Sequence, residues 1–137
     1  MDFKTLESQP IGTRVSLDEL IRQMRWNEDG LIPAIAQQHD NGQVLMMAWM
    51  NAAALQETLT TGQVCYWSRS RQTYWRKGES SGNRQRLVGA RLDCDGDTLL
   101  LQVDQQGPAC HTLRPNCFYI ELDAEQGRII TDPVADH

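Results

Sequence analysis

"RQRLVGARLDC" (84–94), the pair Asp95-Gly96 and "DTLLLQVDQ" (97–105) read together as a β-hairpin. Apolar runs flank a dipeptide that accepts the backbone of a tight turn. Toward the N-terminus the pattern repeats: "LIPAIAQQHD" (31–40), Asn41-Gly42 and "QVLMMAWM" (43–50) form a second hairpin, for which Asn-Gly suits a type I′ turn. "VCYWSRS" (64–70) and "TYWRK" (73–77) are two short aromatic strands that pair, and "FYIEL" (118–122) is a last strand. Two helices complete the pattern. Ser16 with Glu19 three residues on is a capping box, predicting a helix over about 17–25 with Leu17, Leu20, Ile21 and Met24 on one face. Asn51 is an N-cap for "AAALQETLTT", and Gly62 is its natural stop. The expected fold is α+β, mostly antiparallel β with two main helices in a single domain. Residues 1–30 form an N-terminal helical extension, 31–122 the body, and 123–137 a polar, loosely held tail.

The bulk numbers agree. A chain of 137 residues, 40% hydrophobic and 23% charged, has the size and composition of one soluble domain. "VLMMAWM" (44–50) is far short of the roughly 20 apolar residues that cross a bilayer. "MDFKTLESQP" lacks the basic and apolar regions of a secretory signal, so a cytoplasmic address is expected. A net charge of −5 disfavours nonspecific binding to nucleic acid or anionic membrane. Yet Arg69, Arg71, Arg76, Lys77, Arg84 and Arg86 crowd one stretch, opposed within it by Glu79 alone. That stretch is either a solvated basic loop or a surface offered to an anion.

Four cysteines, Cys65, Cys94, Cys110 and Cys117, in a chain without a signal point away from disulfides. Cys65 lies in an aromatic strand and is assigned to the core. Cys94, Cys110 and Cys117 are open to three readings: zinc ligands, buried apolar thiols, or a catalytic thiol. Three thiolates would leave one tetrahedral position to water, as in a catalytic zinc site. Asp93, Asp95 and Asp97 alternate around Cys94. They are either turn residues or, sharing one face of an extended chain, ligands for a hard cation such as Mg²⁺. His111, beside Cys110, is a candidate proton acceptor, with a merely structural loop histidine as the alternative. His39 is expected at the surface, and His137 is the terminal residue.

"GQVLMMAWMN" (42–51), "YWSRSR" (66–71), "WRKGESSGN" (75–83), "LDCDGDTLLLQV" (92–103) and "GPACHT…NCFY" (107–119) resemble the phosphoribosyl-AMP cyclohydrolase family, from about Leu31 to Tyr119. The resemblance covers neither the first thirty residues nor the tail. It implies a barrel-like sheet and a homodimer with the active site at its interface. One Zn²⁺ per subunit would be held by Cys94, Cys110 and Cys117, contributed across that interface, and Mg²⁺ by Asp93, Asp95 and Asp97. The implied reaction adds water to C6 of the adenine ring of N1-(5-phosphoribosyl)-AMP and breaks the N1–C6 bond, a step of histidine biosynthesis, with His111 as base or proton shuttle. Arg69, Arg71 and Lys77 are then candidates for the substrate's two phosphates. Ser68, Ser70, Ser80, Ser81 and the Gly82 amide are neutral donors, and Trp75 or Trp67 is a stacking platform for the purine. The family pattern has glycine after "CHT"; this chain has Leu113.

The competing expectation is a zinc-stabilised module binding nucleic acid through the basic and aromatic stretch 66–86. The overall acidity and the aspartate triplet oppose it. No nucleic acid and no membrane are expected as partners.

Overall fold

The computed structural model describes residues 2–134; His137 and the last residues of the tail lie outside them. Six strands form one sheet: β1 (Ile32–Gln38), β2 (Val44–Met50), β3 (Cys65–Ser68), β4 (Thr73–Arg76), β5 (Gln85–Leu92) and β6 (Leu99–Gln105), in the order β4-β3-β2-β1-β6-β5. Both expected hairpins are present, as is the β3–β4 pair. The sheet is antiparallel except at its centre, where β1 and β6 run parallel from Ala34↔Leu99 to Gln38↔Val103. No sequence-local signal marks that junction, because it joins segments more than sixty residues apart.

Alternation along the two central strands places the core. Ile32, Ala34 and Ala36 of β1 and Leu99, Leu101 and Val103 of β6 are buried, while the residues between them are half-exposed. The edge strand β5 folds back toward β3. Val64 N donates to Gln85 O (3.1 Å), Leu87 N donates to Gly62 O (2.7 Å), and Gln63 bridges Arg86. The sheet is thereby curled into a half-barrel. Inside it the Tyr66 hydroxyl donates to Gln85 Oε1 at 2.7 Å, so the largest buried side chain keeps its polar end satisfied.

Three helices flank the sheet: α1 (Phe3–Leu6), α2 (Leu17–Gln23) and α3 (Ala52–Thr61). The caps are those anticipated. Ser16 Oγ accepts from Glu19 N (3.2 Å), Asn51 Oδ1 accepts from Ala54 N (2.8 Å), and Gly62 ends α3 in the left-handed conformation. Four expectations change. α1 was not anticipated; it is a single turn capped by Asp2. α2 stops at Gln23, and Leu17 is exposed while Ile21 and Met24 are buried. The β1–β2 turn is not type I′: only Gly42 has positive φ, and the Asn41 side chain accepts from Gln43 N instead. The tail beyond Asp123 is ordered into β8 (Gly127–Ile129) against β7 (Ile120–Leu122), with Asp123 Oδ1 holding the turn.

Candidate active site

After β6 the chain enters an irregular loop stitched by its own backbone. Cys110 N donates to Arg114 O, Leu113 N to Cys110 O, and Cys117 N to Leu45 O of β2. These bonds bring the Cys110 and Cys117 thiols close enough for each to shift the other's ionisation. The Thr112 hydroxyl donates to Cys110 Sγ at 3.0 Å. Burial raises the Cys110 thiol, but the Thr112 hydrogen bonds, Cys117 and the Arg114 charge outweigh it and leave the group below its ordinary value. Cys117 goes the other way, pushed up to about 11 by burial and by the charge of Cys110. Much of residue Cys117 is exposed, but its thiol is turned toward Cys110. Cys110 is therefore the first of the pair to become thiolate. Leu113 sits between them with φ +67, the left-handed conformation that glycine adopts without strain.

Two cations back the pair. Lys77 Nζ donates to Ala109 O at 2.6 Å and lies 5.5 Å from the Trp75 ring centre; burial lowers its pKa, and the nearby thiolates oppose that. Arg114 is buried, donates Nε–H to Thr131 O at 3.0 Å, and stacks 3.9 Å over Tyr119. Lys77 thus supports the thiol loop as well as lining the cleft. Sequence reasoning missed Thr112 and Arg114, although a hydroxyl two residues after a candidate thiolate is a signal that was there to read.

Cys94 is elsewhere. It is exposed in the β5–β6 turn, and the seven residues of β6 separate it from the other thiols. At about 3.3 Å per residue that is a span of roughly 20 Å. Two soft donors meet in one chain, which suits Zn²⁺ but leaves a tetrahedral set incomplete. Among the described residues no three Cys, His, Asp or Glu side chains lie close enough to hold a metal. Asp93 and Asp97 do meet: Asp97 N donates to Asp93 Oδ1 at 3.0 Å, and the two carboxyl groups share a hydrogen bond. Asp97 is raised above the usual carboxylate range by that bond, by desolvation and by the Asp93 charge. Asp93 is held below it by backbone donors that outweigh its desolvation. The expected extended run is a tight turn instead, so Asp95 does not share their face by alternation.

Cys110 and the exposed His111 open onto a cleft of about 520 Å³ also lined by Arg71, Trp75, Lys77, Ser80 and Ser81. Trp75 also borders a second cleft of about 550 Å³, with Trp49, Trp67, Ser68, Arg69 and Ser70. Arg69 is held 4.7 Å over the Trp49 ring, and Arg71 Nε donates to Ser68 Oγ at 3.3 Å. The Gly82 amide donates to Gly78 O at 2.8 Å, so it closes its own loop. Arg76 and Arg86, counted in the basic stretch, pair with Glu57 and Asp104 from outside it. His39 is exposed and Cys65 is buried, its thiol raised by burial to about 12.

Comparison with known proteins follows the same residues. The sequence profile of the phosphoribosyl-AMP cyclohydrolase family matches residues 46–119. The chain is 65% identical to the phosphoribosyl-AMP cyclohydrolase of Chromohalobacter salexigens over 134 residues, covering 98% of this chain and 92% of that protein. It is 63% identical to phosphoribosyl-AMP cyclohydrolase 2 of Pseudomonas fluorescens (96% and 89% covered) and 57% identical to the enzyme of Hydrogenovibrio crunogenus (99% and 92%). Likeness thus extends into the N-terminal segment and the tail, beyond the motifs visible in the sequence.

Proposed function

This chain belongs to the phosphoribosyl-AMP cyclohydrolase family, and from that premise we propose that it hydrolyses N1-(5-phosphoribosyl)-AMP, opening the adenine ring at the N1–C6 bond. The family's work is a hydrolytic step of histidine biosynthesis, and the enzyme reading stands over the nucleic-acid module. No helix among the described residues is long and apolar enough to cross a membrane.

Cys110 and Cys117 of one copy, with Cys94 of a second, would hold Zn²⁺, one per subunit; Asp93 and Asp97, which already meet in the turn, would supply oxygen donors for Mg²⁺, joined by Asp95 only if the turn rearranges around the ion. When bound, zinc polarises a water and makes it nucleophilic near neutral pH. His111 stands on the cleft wall beside Cys110, takes the proton of the attacking water and delivers one to the departing N1. Thr112 and Lys77 keep the thiol loop oriented. The two clefts beside Trp75 suit a substrate with a phosphate at each end. Arg69 with Ser68 and Ser70 serves one, and Arg71 with Ser80 and Ser81 the other, while Trp75 faces the purine.

Supporting the homodimer, Met47, Ile35 and Leu100 stand in one row across β2, β1 and β6 on the face away from the core, and Met47 is 46% exposed. The observation that carries the functional reading is the cleft itself, where Cys110 and His111 meet cations and serines suited to phosphate. Ring opening followed spectrophotometrically with phosphoribosyl-AMP and Mg²⁺ tests it. Activity should vanish in Cys110→Ser and in chelator-stripped protein, and return with Zn²⁺. No activity in folded, zinc-replete native protein would overturn it.

A further inference from the structure

In the turn carrying Cys94 and the three aspartates, those four residues are exposed, Thr98 is half-buried and Gly96 alone is buried. Its cover comes from the far N-terminus. A Cβ at Gly96 would overlap three carbons of the Phe3 ring, so the ring of α1 rests directly on the glycine Cα. Gly96 has φ +72, which a side chain would strain as well. From the other side Arg25 N, just past α2, donates to Gly96 O at 2.8 Å. Arg25 is fixed in turn, because Met24 and Ile21 are buried in the core and Trp26 Nε1 donates to Ile21 O at 2.8 Å. Phe3, Leu6 and Leu20 line a cleft shared with Leu92, Asp93 and Cys94. Both N-terminal contacts converge on one residue of a six-residue turn whose other hydrogen bonds, among the described residues, run within the turn itself: its own backbone, the Asp93 carboxylate and the Thr98 hydroxyl on Asp97.

We infer that the N-terminal segment is the clamp of this turn, and that Phe3 is a positioning residue that fixes where Cys94 is presented to a second copy. The inference rests on the proposed role of Cys94. An aromatic ring on a bare glycine sets the turn's height above the sheet, and the Arg25 amide sets its tilt. The 134-residue likeness to a cyclohydrolase includes nearly all of this segment, although the family profile begins only at residue 46.

The test is Phe3→Ala, with Phe3→Leu as the conservative variant, on the full-length protein. Amide exchange across 93–98 should accelerate at least about 10-fold in Phe3→Ala, while the β1 and β6 core amides stay protected. Zinc affinity by chelator competition should fall about 10–100-fold, as for the loss of a group that orients a ligand. Phe3→Leu should recover most of both. If Phe3→Ala accelerates core and turn amides alike, the ring is merely structural and the inference fails. Unchanged exchange in the turn also overturns it. Cys94→Ser separates the two layers: if it leaves zinc affinity untouched, the reading of Cys94 as a ligand is wrong, and the exchange result alone then judges the clamp.

Discussion

At the scale of single residues, Leu113 is the clearest case of chemistry imposed on backbone. A leucine at φ +67 carries a strain of roughly 1–2 kcal/mol that glycine avoids. Leu113→Ala keeps that strain and loses the half-buried side chain, whereas Leu113→Gly relieves it. The glycine variant should therefore be the more stable of the two by about 1 kcal/mol in denaturant unfolding, despite its greater chain entropy. Equal stability would mean the loop relaxes around the Cβ. Asp93 and Asp97 give a pH prediction. Asp97 is raised, so its contribution to stability is present below the usual carboxylate range and is lost as pH rises through its folded value. Asp93, depressed, contributes in the opposite sense. Asp97→Asn should thus raise the unfolding midpoint of the metal-free protein at neutral pH, with the gain shrinking as the medium is acidified. Carbon-detected titration should find Asp97 titrating lower in Asp93→Asn, and lower again with Mg²⁺ if the carboxylates bind it.

At the scale of elements, the loop after β4 depends on a glycine with no room for a side chain. A Cβ on Gly78 would run into the Arg84 and Asn83 backbone, and φ is +81. Gly78→Ala should cost on the order of 2–4 kcal/mol in stability and raise KM by displacing Ser80 and Ser81; an unchanged KM would remove those serines from the substrate. His111→Ala should lower kcat about 10²–10⁴-fold with the fold intact, the loss of a proton-transfer group. What was legible in the sequence at this scale was what is local. Ser16, Asn51 and Gly62 announce their helix ends because capping involves neighbours three or four residues apart. Of the β7–β8 hairpin, β7 was legible inside "FYIEL", though shorter than expected, whereas β8 was not, because it is three residues long in a tail read as polar. The Asn41-Gly42 turn misled for a related reason: an asparagine side chain that bonds its own backbone removes the need for a second positive φ.

At the scale of the whole molecule, the parallel β1–β6 junction sets the function. It holds the β5–β6 turn at one end of β6 and the Cys110–Cys117 loop at the other, so no single chain gathers its three candidate thiols. The motif "LDCDGD" and the pair Cys110/Cys117 were visible in the sequence, but their separation was not, since it follows from a strand's length and straightness.

Subunit mixing tests this division most directly. Cys94→Ser and Cys110→Ser dimers, each inactive, would be exchanged and assayed together. With ligands shared across a two-fold interface, every mixed dimer keeps one complete site, and statistical mixing should restore about one quarter of native activity. If the three thiols act within one chain, each subunit carries a lesion and the mixture stays dead.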